Sequence, residues 1–251
     1  MRKFVILSFL AVIALSIYAQ AQFKQTKYPN GNVKMEGYFE NGNPVGEIKR
    51  YHENGVLQGV QRFEADGTSS AIIYDGEGTL SAKGKYKGYK KDGIWHYYAS
   101  AGYTLMMENY EDGVRQGEAL VFSADSVVLE RMFFVDGVQN GERISYYPYG
   151  NVMTKYTYEM GVLNGLYQFF FESGSIGEEG MFLNGKKDGV WKVYDVESPE
   201  VQEIIYVEGE IQNKSEVNAK LQEKLDSYDV DPKILDPEDY INNPEDYFGK
   251  L

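Results

Sequence analysis

Aromatic residues recur every 24 residues along most of this chain of 251 residues. One column consists of Tyr86, Tyr110, Phe134, Tyr158, Phe182 and Tyr206, and a second of Tyr98, Phe122, Tyr146, Phe170 and Tyr194. Glycines keep the same step at Gly93, Gly117, Gly141, Gly165 and Gly189. A fixed period of this length is typical of repeat proteins, in which each repeat packs against its neighbours.

The segment from Tyr98 to Phe122 shows how one repeat is composed. Residues 99–102 predict a turn, residues 103–110 a strand, residues 111–117 a second turn with two glycines, and residues 118–122 a return strand. Glycine suits such turns because hairpin turns need positive φ angles, which cost glycine little. Each repeat is therefore predicted to be a β-hairpin.

The repeats together predict an all-β fold, an elongated twisted antiparallel meander of stacked β-hairpins. A single hairpin is marginally stable in water, but stacked hairpins bury a continuous strip of aromatic side chains. The array is expected over residues 22–211, and residues 55–85 are its least regular part. We interpret the aromatic and glycine columns as structural.

The C-terminal part of the chain differs from the repeats. Residues 212–228 contain no glycine and place Val217, Leu221 and Leu225 on one helical face, which predicts a short helix. Residues 229–251 form an acidic tail in which Pro-Glu-Asp-Tyr occurs at 237–240 and at 244–247. Composition favours a disordered tail, and a docking peptide anchored by Tyr240 and Tyr247 is the alternative.

Residues 1–21 have the pattern of a secretory signal peptide that is cleaved before Gln22. A basic start is followed by an apolar run and by the small-x-small site at residues 19–21. The expected location is therefore the periplasm, the outer envelope or the medium. The chain contains no cysteine, which excludes disulfides and a lipid anchor on cysteine. An exported chain of this size without disulfides indicates a bacterial protein.

The charge of the chain limits its partners. The formal net charge is −13, and it becomes −15 when Arg2 and Lys3 are removed with the leader. This charge excludes nucleic acid as a partner and disfavours anionic membrane surfaces, since both attract basic proteins. A protein partner is expected, and a glycan is an alternative.

No constellation of catalytic or metal-binding residues is visible. His52 and His96 are the only histidines, and they lie about two repeats apart. There is no cysteine nucleophile, phosphate-binding loop or histidine metal pair. The sequence therefore predicts a protein that is not an enzyme and that needs no metal or cofactor.

A second group of aromatic residues lies on the strand face opposite to the Tyr98 column, because successive residues of a strand point to opposite sides. This group consists of Trp95, Tyr97, Tyr147, Tyr167, Phe169, Phe171 and Trp191. A single-layer sheet cannot bury both of its faces, so these residues are a candidate interaction surface. The alternative is that the sheet packs its own aromatic residues together.

Two segments resemble a known repeat family. They are Lys91-Asp-Gly-Ile-Trp-His-Tyr-Tyr98 and Lys187-Asp-Gly-Val-Trp-Lys-Val-Tyr194, and Tyr110-x-x-Gly113-x-x-x-Gly117 adds to them. With these motifs the chain resembles the MORN repeat variant of bacterial YwqK-family, antitoxin-like proteins. The resemblance implies a twisted single-sheet array that binds proteins or membrane lipids. The antitoxin role implies a cytoplasmic partner, whereas this chain carries an export signal.

Three functional hypotheses follow. The first is an exported, non-enzymatic repeat scaffold that binds another protein in the cell envelope. The second is a module that recognises carbohydrate or lipid through an aromatic sheet face. The third is an antitoxin-like or immunity-like protein.

Overall fold

A computed structural model describes residues 21–196 and 200–227 of the chain. The predicted signal peptide, apart from Ala21, and the acidic tail lie outside the described residues. The chain divides into two compact units with a boundary after Val152. The described residues form eighteen strands and one helix.

The first unit contains twelve strands in chain order. They are β1 (Gln22–Lys27), β2 (Val33–Glu40), β3 (Asn43–Tyr51), β4 (Leu57–Phe63), β5 (Thr68–Tyr74), β6 (Leu80–Lys87), β7 (Lys90–Tyr98), β8 (Thr104–Glu111), β9 (Val114–Phe122), β10 (Val128–Val135), β11 (Val138–Gln139) and β12 (Gly141–Tyr146). Strands β1 to β10 pair antiparallel with their neighbours along the chain, and β11 and β12 both pair with β10.

The second unit follows the same plan and ends in the helix. Its elements are β13 (Val152–Glu159), β14 (Val162–Phe170), β15 (Ile176–Leu183), β16 (Lys186–Tyr194), β17 (Val201–Val207), β18 (Glu210–Ile211) and α1 (Lys214–Ser227). Helix α1 confirms the helix predicted over residues 212–228. In the part of the chain that the structure describes, no helix has the length and apolar character needed to cross a bilayer.

The antiparallel pairings confirm the predicted all-β meander of hairpins. Two kinds of turn alternate. In most tight turns both residues have positive φ, as at Asp112 (49°) and Gly113 (87°), a conformation that matches the twist of paired strands. In the longer turns the chain reverses over four residues. One of them confirms the turn predicted at residues 99–102, where Gly102 N donates to Ala99 O at 2.8 Å.

The structure corrects the expected position of the glycine column that contains Gly117. Gly117 was expected in a turn, but β9 already begins at Val114, so Gly117 lies inside a strand. The register between β8 and β9 shifts there, because Tyr110 pairs with Arg115 whereas Glu108 pairs with Ala119. Gly117 has a φ of 83°, which an irregularity of this kind requires and which only glycine adopts at low cost.

The equivalent glycines have the same backbone conformation. Their φ angles are 68° at Gly93, 104° at Gly141, 122° at Gly165 and 73° at Gly189. The column therefore marks bends inside strands. It looks like a column of turn glycines in the sequence because turns and bulges both select glycine for the same reason, namely its access to positive φ.

Candidate functional site

Three members of the predicted aromatic surface are buried. Trp95 and Trp191 have no exposed surface, and Tyr167 is only 9% exposed. The structure thus corrects the expectation of an open aromatic face at these positions. For these three residues the alternative prediction is correct, namely that the sheet packs its own aromatic residues together.

Glycines on the neighbouring strands make room for the two tryptophans. A side chain at Gly84 would overlap the Trp95 ring, and a side chain at Gly180 would overlap the Trp191 ring. Each indole also donates from Nε1 to a backbone carbonyl, Trp95 to Lys85 O at 2.9 Å and Trp191 to Met181 O at 3.1 Å. Each indole therefore lies on a glycine with its one polar group satisfied.

A chain of hydrogen bonds crosses the face beside Trp95. Lys91 Nζ donates to Tyr97 Oη at 2.6 Å, and Tyr97 Oη lies 3.2 Å from Tyr110 Oη. Tyr110 Oη donates to a carboxylate oxygen of Glu108 at 2.6 Å, and Arg115 is 3.4 Å from the other oxygen. Glu108 is only 7% exposed, so these partners compensate for its burial.

Burial shifts the pKa values of this network so that its tyrosines stay protonated. It raises the pKa of Tyr97 and of Tyr110; the hydrogen bond with Tyr110 adds to the rise at Tyr97, and the hydrogen bond to Glu108 adds to the rise at Tyr110. Burial also lowers the pKa of Lys91, whose ammonium lies 4.5 Å from the centre of the Trp95 ring. The tyrosines keep their protons and serve as hydrogen-bond donors, so we interpret the network as part of the core.

The second unit repeats this arrangement around Trp191. The indole packs against three rings, with centroid distances of 5.2 Å to Tyr167, 5.1 Å to Phe182 and 5.9 Å to Tyr206. Lys187 lies 4.0 Å from the centre of the indole and donates to Glu178 at 3.1 Å. The Lys-Asp-Gly-x-Trp segments therefore stack a lysine over a tryptophan, an attractive cation–π contact.

The stability of the fold is expected to fall above about pH 10, the pKa of tyrosine in an unfolded chain. Burial raises the pKa of Tyr167, so the folded chain keeps a proton that the unfolded chain loses. The free energy of unfolding is then expected to drop by about 1.4 kcal/mol per pH unit for this residue. Lys91 has the opposite effect on the free energy of unfolding, because burial lowers the pKa of its ammonium and the folded chain loses that proton first. This gain in stability is complete near pH 10, where the unfolded chain begins to lose the same proton.

Denaturant unfolding at pH 9, 10 and 11 measures this slope. Tyr167→Phe removes the titrating group and keeps the ring, so it is expected to flatten the slope. Tyr74→Phe serves as the control in the other unit. An equal slope in Tyr167→Phe and the unchanged chain would contradict the assignment.

The remaining members of the predicted surface are half-buried. Tyr97 belongs to the hydrogen-bonded network beside Trp95. Phe169 and Phe171 pack edge to face at 5.4 Å, and a side chain at Gly177 would meet both rings. Tyr147 begins a four-residue turn and donates its backbone N–H to Asn151 O at 2.8 Å. The seven residues therefore form several small packed groups instead of one open surface.

Both histidines contact residues of the sheet. His52 Nε2 lies 3.1 Å from Tyr74 O, and the His96 ring stacks on Tyr98 with centroids 6.5 Å apart. Burial, together with the charge of Lys83, lowers the pKa of His96. Within residues 21–196 and 200–227, no three His, Asp or Glu side chains are placed to hold a metal ion.

Aliphatic residues form an exposed row on the opposite face of the second unit. We call Leu166, Met181, Val190 and Ile205 the aliphatic stripe; they are 45%, 49%, 48% and 41% exposed. Leu166 pairs with Met181, and Val190 pairs with Ile205. Met181 and Val190 line one shallow depression, which makes the stripe continuous across four strands.

Strands β1 and β17 differ in how their outer edges are covered; β18 pairs with the end of β17. Beyond β17, Asn213 imitates a strand: its Oδ1 accepts from Ile205 N and its Nδ2 donates to Glu203 O, both at 3.0 Å. In the described part of the chain, β1 pairs with β2 alone, and all six of its residues are exposed. The edge at β17 is therefore capped and the edge at β1 is open.

Comparison with protein families matches the start of the array. Residues 24–43 and 44–65 match the model described as MORN repeat variant. A search of curated proteins gave no match. The bacterial YwqK-family assignment is finer than this match and stays a prediction.

The two matched segments are held together at their longer turns. Asn30 donates to Glu53 O, and Asn54, one repeat later, donates to Gly76 O, both at 2.9 Å. Part of this segment belongs to residues 55–85, which look least regular in the sequence. The later turns of this kind carry Glu77, Ala101, Asp125, Tyr149 and Ser173 at the equivalent position. The asparagines thus connect successive turns in the part of the array where the aromatic step is imperfect.

The aliphatic stripe and the open edge of β1 were not foreseen from the sequence. A signal for the stripe exists, since Leu166 and Val190 are 24 residues apart and so are Met181 and Ile205. The 24-residue step gives the equivalent residues of the first unit as Ser70, Lys85, Ile94, Asn109, Glu118, Phe133 and Glu142. A search for columns whose residues change from mostly polar to aliphatic along the chain would have found the stripe. The open edge depends on pairing and has no comparable signal.

Proposed function

We propose that this protein is an exported, non-enzymatic repeat scaffold that binds another protein in the cell envelope. The open edge of β1 is the observation that carries the proposal. An unpaired strand edge presents a row of backbone N–H and C=O groups. A polypeptide partner can satisfy that row by adding a strand, the recognition mode known as β-augmentation. MORN repeats are also commonly scaffolds that bind proteins or membranes.

Export supports the same edge as the binding site. Strand β1 begins at Gln22, which is the residue that the predicted cleavage leaves first. Cleavage would remove the chain that precedes this strand and leave its outer edge accessible. The mature protein would then present the edge outside the cytoplasm.

Charge gives the expected chemistry of the partner. Lys24 and Lys27 are exposed on β1, within a chain whose formal charge is −13. Basic side chains at an edge discourage pairing with another copy of the same strand, because like charges would be opposed. They favour an acidic or neutral extended segment as the partner.

Proline substitution in β1 tests this proposal. Successive residues of an edge strand point their N–H groups alternately inward and outward, so Lys24→Pro and Gln25→Pro remove one donor of each kind. The variant that replaces the residue with the inward N–H loses a hydrogen bond to β2 and is expected to have a lower melting temperature. The variant that replaces the residue with the outward N–H is expected to keep its melting temperature and still to lose partner retention in pull-downs from envelope fractions.

Ser100→Pro is the matched control. It places proline at the second position of a four-residue turn, where Pro29 and Pro148 stand in two other repeats. This variant is expected to retain the partner at the level of the unchanged chain. Retention by both β1 variants, or loss in the Ser100→Pro control, would refute binding at this edge.

The other hypotheses have less support in the described residues. Recognition of carbohydrate or lipid by an aromatic face would have to proceed without Trp95 and Trp191, which are buried. No structural feature favours an antitoxin-like role over other protein binding. Both stay predictions from the sequence.

A further inference from the structure

The aliphatic stripe exposes more apolar surface than the repeat requires. In the first unit five of the seven equivalent residues are polar, namely Ser70, Lys85, Asn109, Glu118 and Glu142. Glu118 forms an ion pair there with Arg131 at 3.1 Å. The hairpins therefore fold with polar side chains at these positions. The change to four aliphatic residues in the second unit indicates that this face is covered, since contiguous exposed apolar surface is typical of a contact site.

The chain leaves the second unit beside the stripe. Asn213 is hydrogen-bonded to Ile205 N, and Ile205 is the last member of the stripe. Helix α1 begins at the next residue and continues for 14 residues, a length of about 21 Å. Residues 228–251 follow the helix in the sequence. Twenty-four residues at about 3.3 Å each can span far more than the length of the helix and the four strands of the stripe.

The composition of this segment suits an apolar face. Two apolar pairs, Tyr240-Ile241 and Tyr247-Phe248, each follow a Pro-Glu-Asp sequence. Proline within the segment disfavours pairing as a ladder strand, because each proline lacks an N–H. The acidic residues can stay in water while the apolar pairs contact the sheet.

We propose that residues 228–251 lie across the aliphatic stripe of the same chain. Tyr240-Ile241 and Tyr247-Phe248 contact Leu166, Met181, Val190 and Ile205, and they remove this apolar surface from water. The tail acts as an intramolecular cover of the second unit. This inference is independent of partner binding at β1, so either can fail while the other holds.

The absence of cysteine allows a direct test in the full chain. Met181→Cys combined with Tyr247→Cys places one thiol in the stripe and one in the tail. A short bismaleimide cross-linker is expected to join them within one chain, which tryptic mass spectrometry identifies. Met160→Cys with Tyr247→Cys is the control, because Met160 belongs to the same unit and is 68% exposed but lies outside the stripe.

The proposal predicts cross-linking at Met181 that is at least about tenfold faster than at Met160, through the higher effective concentration of a docked segment. Replacing Tyr240, Ile241 and Phe248 by serine in these cysteine variants is expected to remove that difference. Equal rates at the two positions would overturn the proposal. Products that join two chains would also overturn it and would indicate that a second copy covers the stripe.

A second measurement uses no introduced cysteine. Hydrogen exchange of β15 and β16 is compared in the unchanged chain and in a chain with Tyr240, Ile241, Tyr247 and Phe248 replaced by serine. Faster exchange in the serine variant, confined to the strands that carry Met181 and Val190, is expected. Unchanged exchange in these strands would contradict docking of the tail.

Discussion

Trp191→Ala is expected to lower the free energy of unfolding of the second unit by about 3–5 kcal/mol. The side chain has no exposed surface and packs against the rings of Tyr167, Phe182 and Tyr206. Its removal leaves a cavity, and it also leaves Met181 O without the indole N–H as a partner. Circular dichroism during denaturant unfolding measures the loss.

Met160→Ala is the control for this prediction, since Met160 is 68% exposed in the same unit. It is expected to change the free energy of unfolding by no more than about 0.5 kcal/mol. The chain contains only two tryptophans, so Trp95 fluorescence reports separately on the first unit in the Trp191→Ala variant. A loss below about 1 kcal/mol would show that the indole is not the centre of this core.

Gly180→Ala is expected to destabilise the same unit by about 1–3 kcal/mol through overpacking. A Cβ atom at this position would overlap the Trp191 ring, whose Nε1 is held by a hydrogen bond. The ring can move only by breaking that bond and its contacts with the neighbouring rings. Denaturant unfolding measures the effect, and a shift of Trp191 fluorescence is expected with it.

Two variants isolate the overlap from a general effect of replacing glycine. Gly76→Ala adds a methyl group where nothing lies within 4 Å and where φ is not positive, so its expected effect is neutral or slightly stabilising. Gly180→Ala in the Trp191→Ala background is expected to cost less than it does alone, because the ring is gone. Equal costs in the two backgrounds would refute the contact as the cause.

The sequence predicted the construction of the repeats well because that construction is local. A tight turn such as Asp112-Gly113 depends on the φ angles of two residues, and Asp-Gly is a preferred pair for it. The helix at residues 214–227 follows similarly from local preference. The glycine column at Gly117 was misplaced because a turn and a bulge need the same residue. Register between strands decides which of the two occurs.

The candidate surface was predicted less well because burial is not local. Alternation placed Trp95, Tyr97 and Trp191 on one face correctly, but it could not say that Gly84 and Gly180 receive the indoles. Those glycines lie on neighbouring strands, 11 residues from their tryptophans, and their role depends on strand pairing. The hydrogen bond from Asn213 to β17 also depends on the fold.

The sequence by itself determined the repeat length, the hairpin unit, the antiparallel meander and the position of the helix, since each follows from local conformational preference and a fixed period. The tertiary structure alone decided which aromatic residues are core and which strand edge is open. The physical reason is that exposure and edge pairing depend on what lies across the strand, and residues of the neighbouring strand supply or withhold that cover.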